Sequence, residues 1–250
     1  MNYKSIIIIA GEPYSIFFEI FFKIFKSNFY KKYKYPIILI GSKNLLKMQM
    51  KKMNFSFEIN LIKKEDIKNI IINNKKINLI DVKLNFKKPF GKISNKSSKY
   101  IKECFDIGLN IMKNKIGLAL INGPISKKHF FAGKFDGITE YLAHKTKEKN
   151  NEVMLIYNKS LSVSPMTTHV ALKDVSKRIS TNMIVQKIMT INKFYKDKLG
   201  KIPKFAITGL NPHCESNYNN SEEDKIIIPA IRITQQKKIK IKGPFAADTL

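Results

Sequence analysis

Tryptophan, cysteine and arginine are scarce or missing in this 250-residue sequence. It contains no Trp and only two cysteines, Cys104 and Cys214, which stand far apart and form no Cys-x-x-Cys spacing. This pattern argues against a disulfide framework and against a structural zinc site. A reducing cytoplasm is the simplest setting for such a chain.

Long apolar runs are also absent. The most apolar stretch, Ile16 to Phe25, is interrupted by Glu19 and Lys23, whereas a membrane span needs about 18 uninterrupted apolar residues. The apolar run within Met1 to Ala10 is too short for the core of a signal peptide. We therefore expect no membrane partner and interpret the stretch 16–25 as an amphipathic core helix.

Positive charge is abundant and comes almost wholly from lysine. The formal net charge is +27, yet Arg178 and Arg232 are the only arginines. Proteins that read phosphates and base edges favour the planar guanidinium group. Because the lysines are dispersed through an Ile- and Asn-rich background, we interpret them as solvated surface and expect no specific nucleic-acid partner. A non-catalytic protein that binds a polyanion stays open as an alternative.

Short β-branched runs alternate with stretches of helical composition. Strands are predicted at 5–10, 36–40, 57–62, 77–82, 116–121, 153–157, 161–164 and 205–208. Helices are predicted at 16–25, 43–51, 97–113, 181–199 and 222–234. Since parallel neighbours need crossover connections, this order predicts an α/β fold with a largely parallel sheet covered on both faces. The apolar segments around Asn158-Lys159-Ser160 predict an inserted hairpin.

Ligand sites in such sheets lie beyond the carboxyl ends of the strands. The first turn of this kind, Ala10 to Ile16, lacks both G-x-G-x-x-G and a Walker lysine motif, so it favours neither a Rossmann nor a P-loop phosphate site. A later turn, Asn122 to Lys128, places Ser126 where it can cap a helix and Lys127 where it can offer a cation. Helix capping and solvation are the plainer interpretation of these two residues.

Two histidines occupy equivalent places after two predicted strands. His169 ends the string Met166-Thr-Thr-His169, and His213 ends Gly209-Leu-Asn-Pro-His213. Imidazoles at neighbouring strand ends can converge on one divalent metal, which then polarises a substrate hydroxyl or carbonyl. Their wide spacing matches no short zinc motif, so purely structural histidines stay open as an alternative.

Taken together, the local strings resemble the 4-hydroxythreonine-4-phosphate dehydrogenases, in order and in spacing, over essentially the whole chain. The strings that carry this resemblance are Ala10–Pro13, Pro89–Ser94, Gly123–Lys127, Gly137–Glu140, Thr167–His169, Ala171–Val175, Gly209–His213 and Gly243–Leu250. The resemblance implies a fold like that of isocitrate and isopropylmalate dehydrogenases, with two α/β/α subdomains and a cleft between them. It also implies a homodimer with active sites near the subunit interface.

The implied reaction is oxidation of a small phosphorylated hydroxy amino acid by NAD or NADP, followed by decarboxylation, with a divalent metal (zinc, magnesium, cobalt or manganese). By resemblance, His169 and His213 match two of the family's three metal-binding histidines, and Thr139 matches a substrate-contacting threonine. Asp248 is assigned a supporting catalytic role near the metal, and Lys127 is a further catalytic candidate. No residue is assigned to the nicotinamide cofactor.

Two departures from the family pattern shape the expectations. Ile138 stands where the family has a substrate-contacting histidine, which leaves phosphothreonate or phosphoerythronate open as alternative substrates. The family pattern continues past Leu250 with the third metal histidine, so we expect residues 1–250 to be a single family domain that is incomplete at its C-terminus. Within it we expect two interleaved α/β subdomains, with a boundary that the sequence does not assign.

Overall fold

The computed structural model of this chain describes residues 4–27, 33–68, 74–148, 151–214 and 221–249. The chain divides into two compact units, Met1–Gly137 and Ile138–Leu250. Each unit has its own parallel strand pairing and is described separately. The predicted interleaving of two subdomains stays a prediction.

Unit one is a parallel α/β layer. Its regular elements are β1 (Ser5–Ile9), α1 (Phe17–Lys26), β2 (Ile37–Gly41), α2 (Lys43–Lys52), β3 (Ile59–Leu61), β4 (Ile77–Asp81), α3 (Ser98–Lys113) and β5 (Gly117–Asn122). The strands pair in the order β3-β4-β2-β1-β5, and every pairing is parallel. The predicted α/β class with a parallel sheet is therefore confirmed.

Aromatic spacing explains why α1 forms and how it packs. Phe18, Phe21, Phe22 and Phe25 recur at helical spacing and are all buried, so they form the apolar face predicted from the sequence. They join residues of α2 and of one sheet face in a single hydrophobic core. Burial of each such side chain stabilises the fold by about 2–3 kcal/mol.

The opposite face of the sheet is covered by α3. A Cβ added at Gly108 in this helix would lie 2.9 Å from the Ile9 side chain and 3.1 Å from Leu120. A side chain at this position would force the Ile9 and Leu120 methyl groups to move, so glycine favours this close approach of α3 to β1 and β5. Among the helices of the described residues, none is long and apolar enough to cross a membrane.

Unit two contains a smaller parallel pair backed by helices. Its regular elements are α4 (Ile138–Thr146), α5 (Val175–Arg178), α6 (Thr181–Leu199), β6 (Phe205–Thr208), α7 (Ile228–Gln236) and β7 (Ile241–Phe245). A π-helical turn, Glu223–Ile227, leads directly into α7. The core joins the apolar faces of α6 and α7 to Ile241.

The bounds of α6 match the prediction because the sequence supplies both ends. The Ser180 side chain accepts a hydrogen bond from Met183 N at the start, and Gly200 adopts φ +62° at the end. A serine cap is a usual start signal of a helix, and a glycine in the left-handed region is a usual end signal.

The strands predicted at 153–157 and 161–164 do not form, although their antiparallel bridge agrees with the predicted hairpin, and one strand was missed. The segments 153–157 and 161–164 form only an isolated antiparallel bridge, Ile156 to Val163. Both apolar side chains are exposed, so the described residues give this pair no buried face to extend against. In contrast β7 forms despite Gly243 and Pro244, which are residues that normally end strands.

Candidate active site

The carboxyl ends of β6 and β7 bring two of the sequence motifs side by side. The strands pair in parallel, with Phe205 opposite Ile241, so both chains leave the same edge of the pair. Gly209 N then donates to Phe245 O at 3.0 Å, and Ala247 N donates to Pro212 O at 2.7 Å. The two segments therefore run next to each other beyond the strands.

This arrangement places His213 against Asp248. The His213 Nδ1 to Asp248 Oδ2 distance is 2.9 Å, and the two side chains are 70% and 41% exposed. Because a carboxylate accepts hydrogen bonds, Nδ1 is the nitrogen that donates in this contact, and Nε2 is the nitrogen that the contact leaves available. Two residues predicted from separate motifs are thus in contact.

The loop that carries His213 is a tight turn. Asn211 Oδ1 accepts from His213 N at 3.1 Å, and Asn211 O accepts from Cys214 N at 3.0 Å. A Cβ at Gly209 would lie only 2.4 Å from Cys214 Sγ, so a larger residue does not fit there. These contacts define the backbone position from which the imidazole projects.

A buried carboxylate, Glu223, holds the same loop from the other side. It is 5% exposed, and its Oε1 accepts from Leu210 N at 2.8 Å and from Asn211 N at 3.0 Å. This residue was not predicted from the sequence, because Glu222 and Glu223 have the pattern of the charged start of a helix. No local signal distinguishes the buried one of the pair.

The segment that carries His169 is held by a lysine instead. Lys187 on α6 donates from Nζ to Met166 O at 2.9 Å and to Pro165 O at 3.5 Å. Burial lowers the pKa of this ammonium, while the charges of Glu152 and Glu140 act in the opposite direction. In the sequence, Lys187 is recognisable only as a lysine near the apolar helix positions Ile184 and Ile188.

The Thr139 motif lies near the His169 segment. Thr139 is the second residue of α4, and the next residue, Glu140, accepts through Oε1 from Thr168 Oγ1 at 3.2 Å. His169 follows directly with φ +56°, in the left-handed region. The structure therefore joins the Gly137–Glu140 string to the Thr167–His169 string.

The predicted metal site, with His169 and His213 as ligands, stays a prediction. Within the described ranges, no group of three or more His, Cys, Asp or Glu side chains is placed to hold a metal ion. His213 with Asp248 has the donor chemistry that a divalent cation accepts. His169 carries the second predicted imidazole on a separate segment, and its convergence with His213 on one cation stays a prediction.

In unit one, backbone hydrogen bonds join the two predicted turns after β1 and β5. Gly123 N donates to Ile9 O at 2.7 Å, and Glu12 N donates to Pro124 O at 2.8 Å. Lys127 begins the π-helical turn that follows, but the Ser126 side chain makes no capping hydrogen bond. The predicted helix cap is therefore wrong, and the role of Lys127 stays a prediction.

Glu12 in this opening turn is a buried acid with few donors. It is 2% exposed, and its Oε1 lies 2.9 Å from Ser97 Oγ, which lies equally far from Ser94 O. One hydroxyl hydrogen serves only one acceptor, so Glu12 and Ser94 O compete for the hydrogen of Ser97. Burial raises the pKa of Glu12, against the opposing effects of Ser97 and His129.

The comparisons with known proteins agree with one another. A 4-hydroxythreonine-4-phosphate dehydrogenase from Sulfurihydrogenibium sp. is 34% identical over 97% of this chain and 74% of its own length. One from Janthinobacterium sp. is 30% identical over 98% of this chain and 74% of its own length. The structure of one from Klebsiella pneumoniae matches with a TM-score of 0.83 at 24% identity, over 99% of this chain and 76% of that chain.

The curated relatives place the chain among the oxidoreductases of the dehydrogenase class, and the solved structure shows the same fold. More narrowly, residues 32–250 match the family model "Pyridoxal phosphate biosynthetic protein PdxA". The chain belongs to the PdxA family. It spans about three quarters of the length of the relatives named above.

Proposed function

We propose that this chain oxidises 4-phosphohydroxythreonine with NAD or NADP and decarboxylates the product to 3-amino-2-oxopropyl phosphate, in the synthesis of pyridoxal 5'-phosphate. The observation that carries the proposal is the contact between His213 and Asp248 beyond two parallel strands. It joins two of the strings on which the resemblance rests. The relatives that bear the name of this dehydrogenase support the same reaction.

The residues for a divalent cation in this proposal are His169 and His213. Zinc, magnesium, cobalt and manganese all fit the proposal, with imidazole favouring the transition metals. When bound, such a cation lowers the pKa of a substrate hydroxyl and stabilises the negative charge left as carbon dioxide departs. With its Nδ1 in contact with Asp248, His213 would offer Nε2 to the cation.

The remaining site residues bind and orient substrate. Thr139 lies in the first turn of α4, and its hydroxyl can both donate to and accept from a polar substrate group. Lys127, after β5, is our candidate for a catalytic cation, since an ammonium stabilises negative charge that develops on an oxygen. No residue is assigned to the nicotinamide ring.

The test is an assay of NAD(P)H formation from 4-phosphohydroxythreonine with added divalent metal, using this chain and any longer form that its gene encodes. We expect His213→Ala and His169→Ala each to lower kcat/KM about 1000-fold. His144→Ala is the matched control, because this imidazole lies in the last turn of α4 and is expected to be dispensable. Full activity in either site variant would refute the metal assignment.

Ile138 supports a second candidate substrate. This residue begins α4 and is half-buried, and a branched hydrocarbon offers no hydrogen bond to an amino or hydroxyl group of the substrate. Phosphothreonate or phosphoerythronate is the alternative. A comparison of kcat/KM for the three compounds, in wild type and Ile138→His, decides between them, since a gain for 4-phosphohydroxythreonine in the variant favours the alternative for the natural chain.

We also propose that the protein is a homodimer. Apolar side chains around the bridged segment are unusually exposed, with Ile156 at 62% and Leu161 at 71%, and clustered exposed apolar groups often mark an interface. Sedimentation analysis of wild type and Leu161→Lys tests this, with a dimer expected for the wild type and dissociation for the variant. A monomeric wild type would contradict the proposal.

The expected compartment is the cytoplasm, and no specific nucleic acid is expected to bind. Both cysteines are free, and burial raises the pKa of the Cys104 thiol to about 12, which keeps it unreactive. Binding of DNA or RNA with a steep salt dependence would instead favour the polyanion alternative.

A further inference from the structure

We infer that Glu223 is the positioning residue that sets where the His213 imidazole stands. The inference rests on the proposed function, in which His213 binds the metal. Glu223 does not touch that imidazole. It acts on the backbone of the loop that presents it, through the hydrogen bonds from Leu210 N and Asn211 N.

The contact is specific because one oxygen accepts from two consecutive amides. Leu210 N and Asn211 N lie 2.8 and 3.0 Å from the same Oε1. Consecutive backbone amides that converge on one point form a concave site for an anion. A carboxylate anchored at the start of the π-helical turn, Glu223–Ile227, therefore fixes the direction of two successive peptide groups.

The fixed backbone leads directly to the histidine. The peptide N–H of Asn211 is held by Glu223, and the Asn211 side chain in turn accepts from His213 N at 3.1 Å. The Asn211 carbonyl accepts from Cys214 N at 3.0 Å. If the hydrogen bond to Asn211 N is lost, the backbone at His213 and Cys214 is no longer held in one position.

The fit between Glu223 and the loop leaves no spare room. A Cβ at Gly209 would lie 3.0 Å from Glu223 Oε1 and 2.9 Å from Asn211 O. The carboxylate thus occupies the space beside the glycine that opens the loop. Together with Cys214 Sγ, which would lie nearer at 2.4 Å, this approach leaves no room for a Cβ at Gly209.

The test measures Co²⁺ binding by visible absorption on the wild-type chain and on Glu223→Ala, with Co²⁺ alone as the probe. We expect affinity to fall about 10-fold to 100-fold, as it does when partners that orient metal ligands are removed. Glu223→Gln keeps an oxygen acceptor and is expected to restore most of that affinity. Glu222→Ala removes a neighbouring carboxylate and is the matched control, with no change expected.

Amide hydrogen exchange at Leu210 and Asn211 supplies a readout that does not depend on metal. Faster exchange in Glu223→Ala together with weaker Co²⁺ binding supports the inference, whereas faster exchange with unchanged Co²⁺ affinity overturns it. If the alanine variant does not fold, Glu223→Asp replaces it, because a side chain one methylene shorter fails to reach both amides.

His213→Ala distinguishes a failure of the metal assignment from a failure of the proposed role of Glu223. If this variant binds Co²⁺ as tightly as wild type, His213 is not a ligand, and both the metal assignment and this inference fail. If it loses Co²⁺ while Glu223→Ala binds normally, the metal assignment stands and only the role of Glu223 is overturned.

Discussion

The two histidine-bearing segments of unit two are held by side chains of opposite charge. The segment before His169 presents carbonyl oxygens, and Lys187 donates to them. The loop before His213 presents amide hydrogens, and the Glu223 carboxylate accepts from them. Each charged residue matches the backbone groups that its segment leaves unpaired by regular secondary structure.

The two anchors differ in burial, and that difference predicts how much each matters. Glu223 is buried, whereas Lys187 is half-buried. Water can replace a partner that is lost at a half-buried position but not one that is lost inside the protein. We therefore expect the His213 loop to be the more rigid and the more easily damaged of the two.

The largest effect is expected from removing the histidines themselves. If both bind one cation, His169→Ala and His213→Ala should each lower kcat/KM about 1000-fold, because the loss of metal assistance costs several kcal/mol. Steady-state kinetics with saturating metal measures this. A large loss in one variant and none in the other would show that only one of the two histidines contributes to turnover.

The stability of the two anchor variants is the next test. Glu223→Ala should lower the free energy of unfolding by about 2 to 4 kcal/mol, since it leaves two amides without their acceptor, and Lys187→Ala by about 1 kcal/mol. Urea denaturation gives both values. Equal losses would show that burial does not distinguish the anchors.

The pH dependence of stability should reveal Lys187. Burial lowers the pKa of Lys187 in the folded protein, so the folded state binds fewer protons than the unfolded chain at pH values between that lowered pKa and about 10.4. The stability of wild type relative to Lys187→Met should therefore rise as pH increases through this window. Unfolding measured at neutral and alkaline pH checks the sign, and a fall would contradict the burial argument.

The smallest effect on stability is expected at Asp248. The pair with His213 is largely exposed, so Asp248→Asn should change the free energy of unfolding by about 0.5 kcal/mol or less. The affinity for Co²⁺ should nevertheless fall about 10-fold, because an amide oxygen accepts from Nδ1 more weakly than a carboxylate does, and the amide can turn its NH₂ group toward the imidazole instead. Unchanged affinity would separate Asp248 from metal binding.

How far the sequence predicts the fold depends on how local the signal is. The core strands and the long helices follow from apolar periodicity and from end signals such as Ser180 and Gly200. The two strands predicted in the segment 153–164 do not form, because apolar composition alone does not supply a surface for them to pack against. β7 was missed because Gly243 and Pro244 interrupt its pattern, although its pairing with β6 overrides that local preference.

The same division applies to the site. The sequence by itself determined the α/β class, the family resemblance and the motifs that contain Thr139, His169, His213 and Asp248. Only the tertiary structure decided that His213 and Asp248 are in contact, and that Glu223 and Lys187 anchor the two segments. Motifs are local in sequence, whereas a buried charge is defined by the unpaired backbone groups that folding brings to it from elsewhere in the chain.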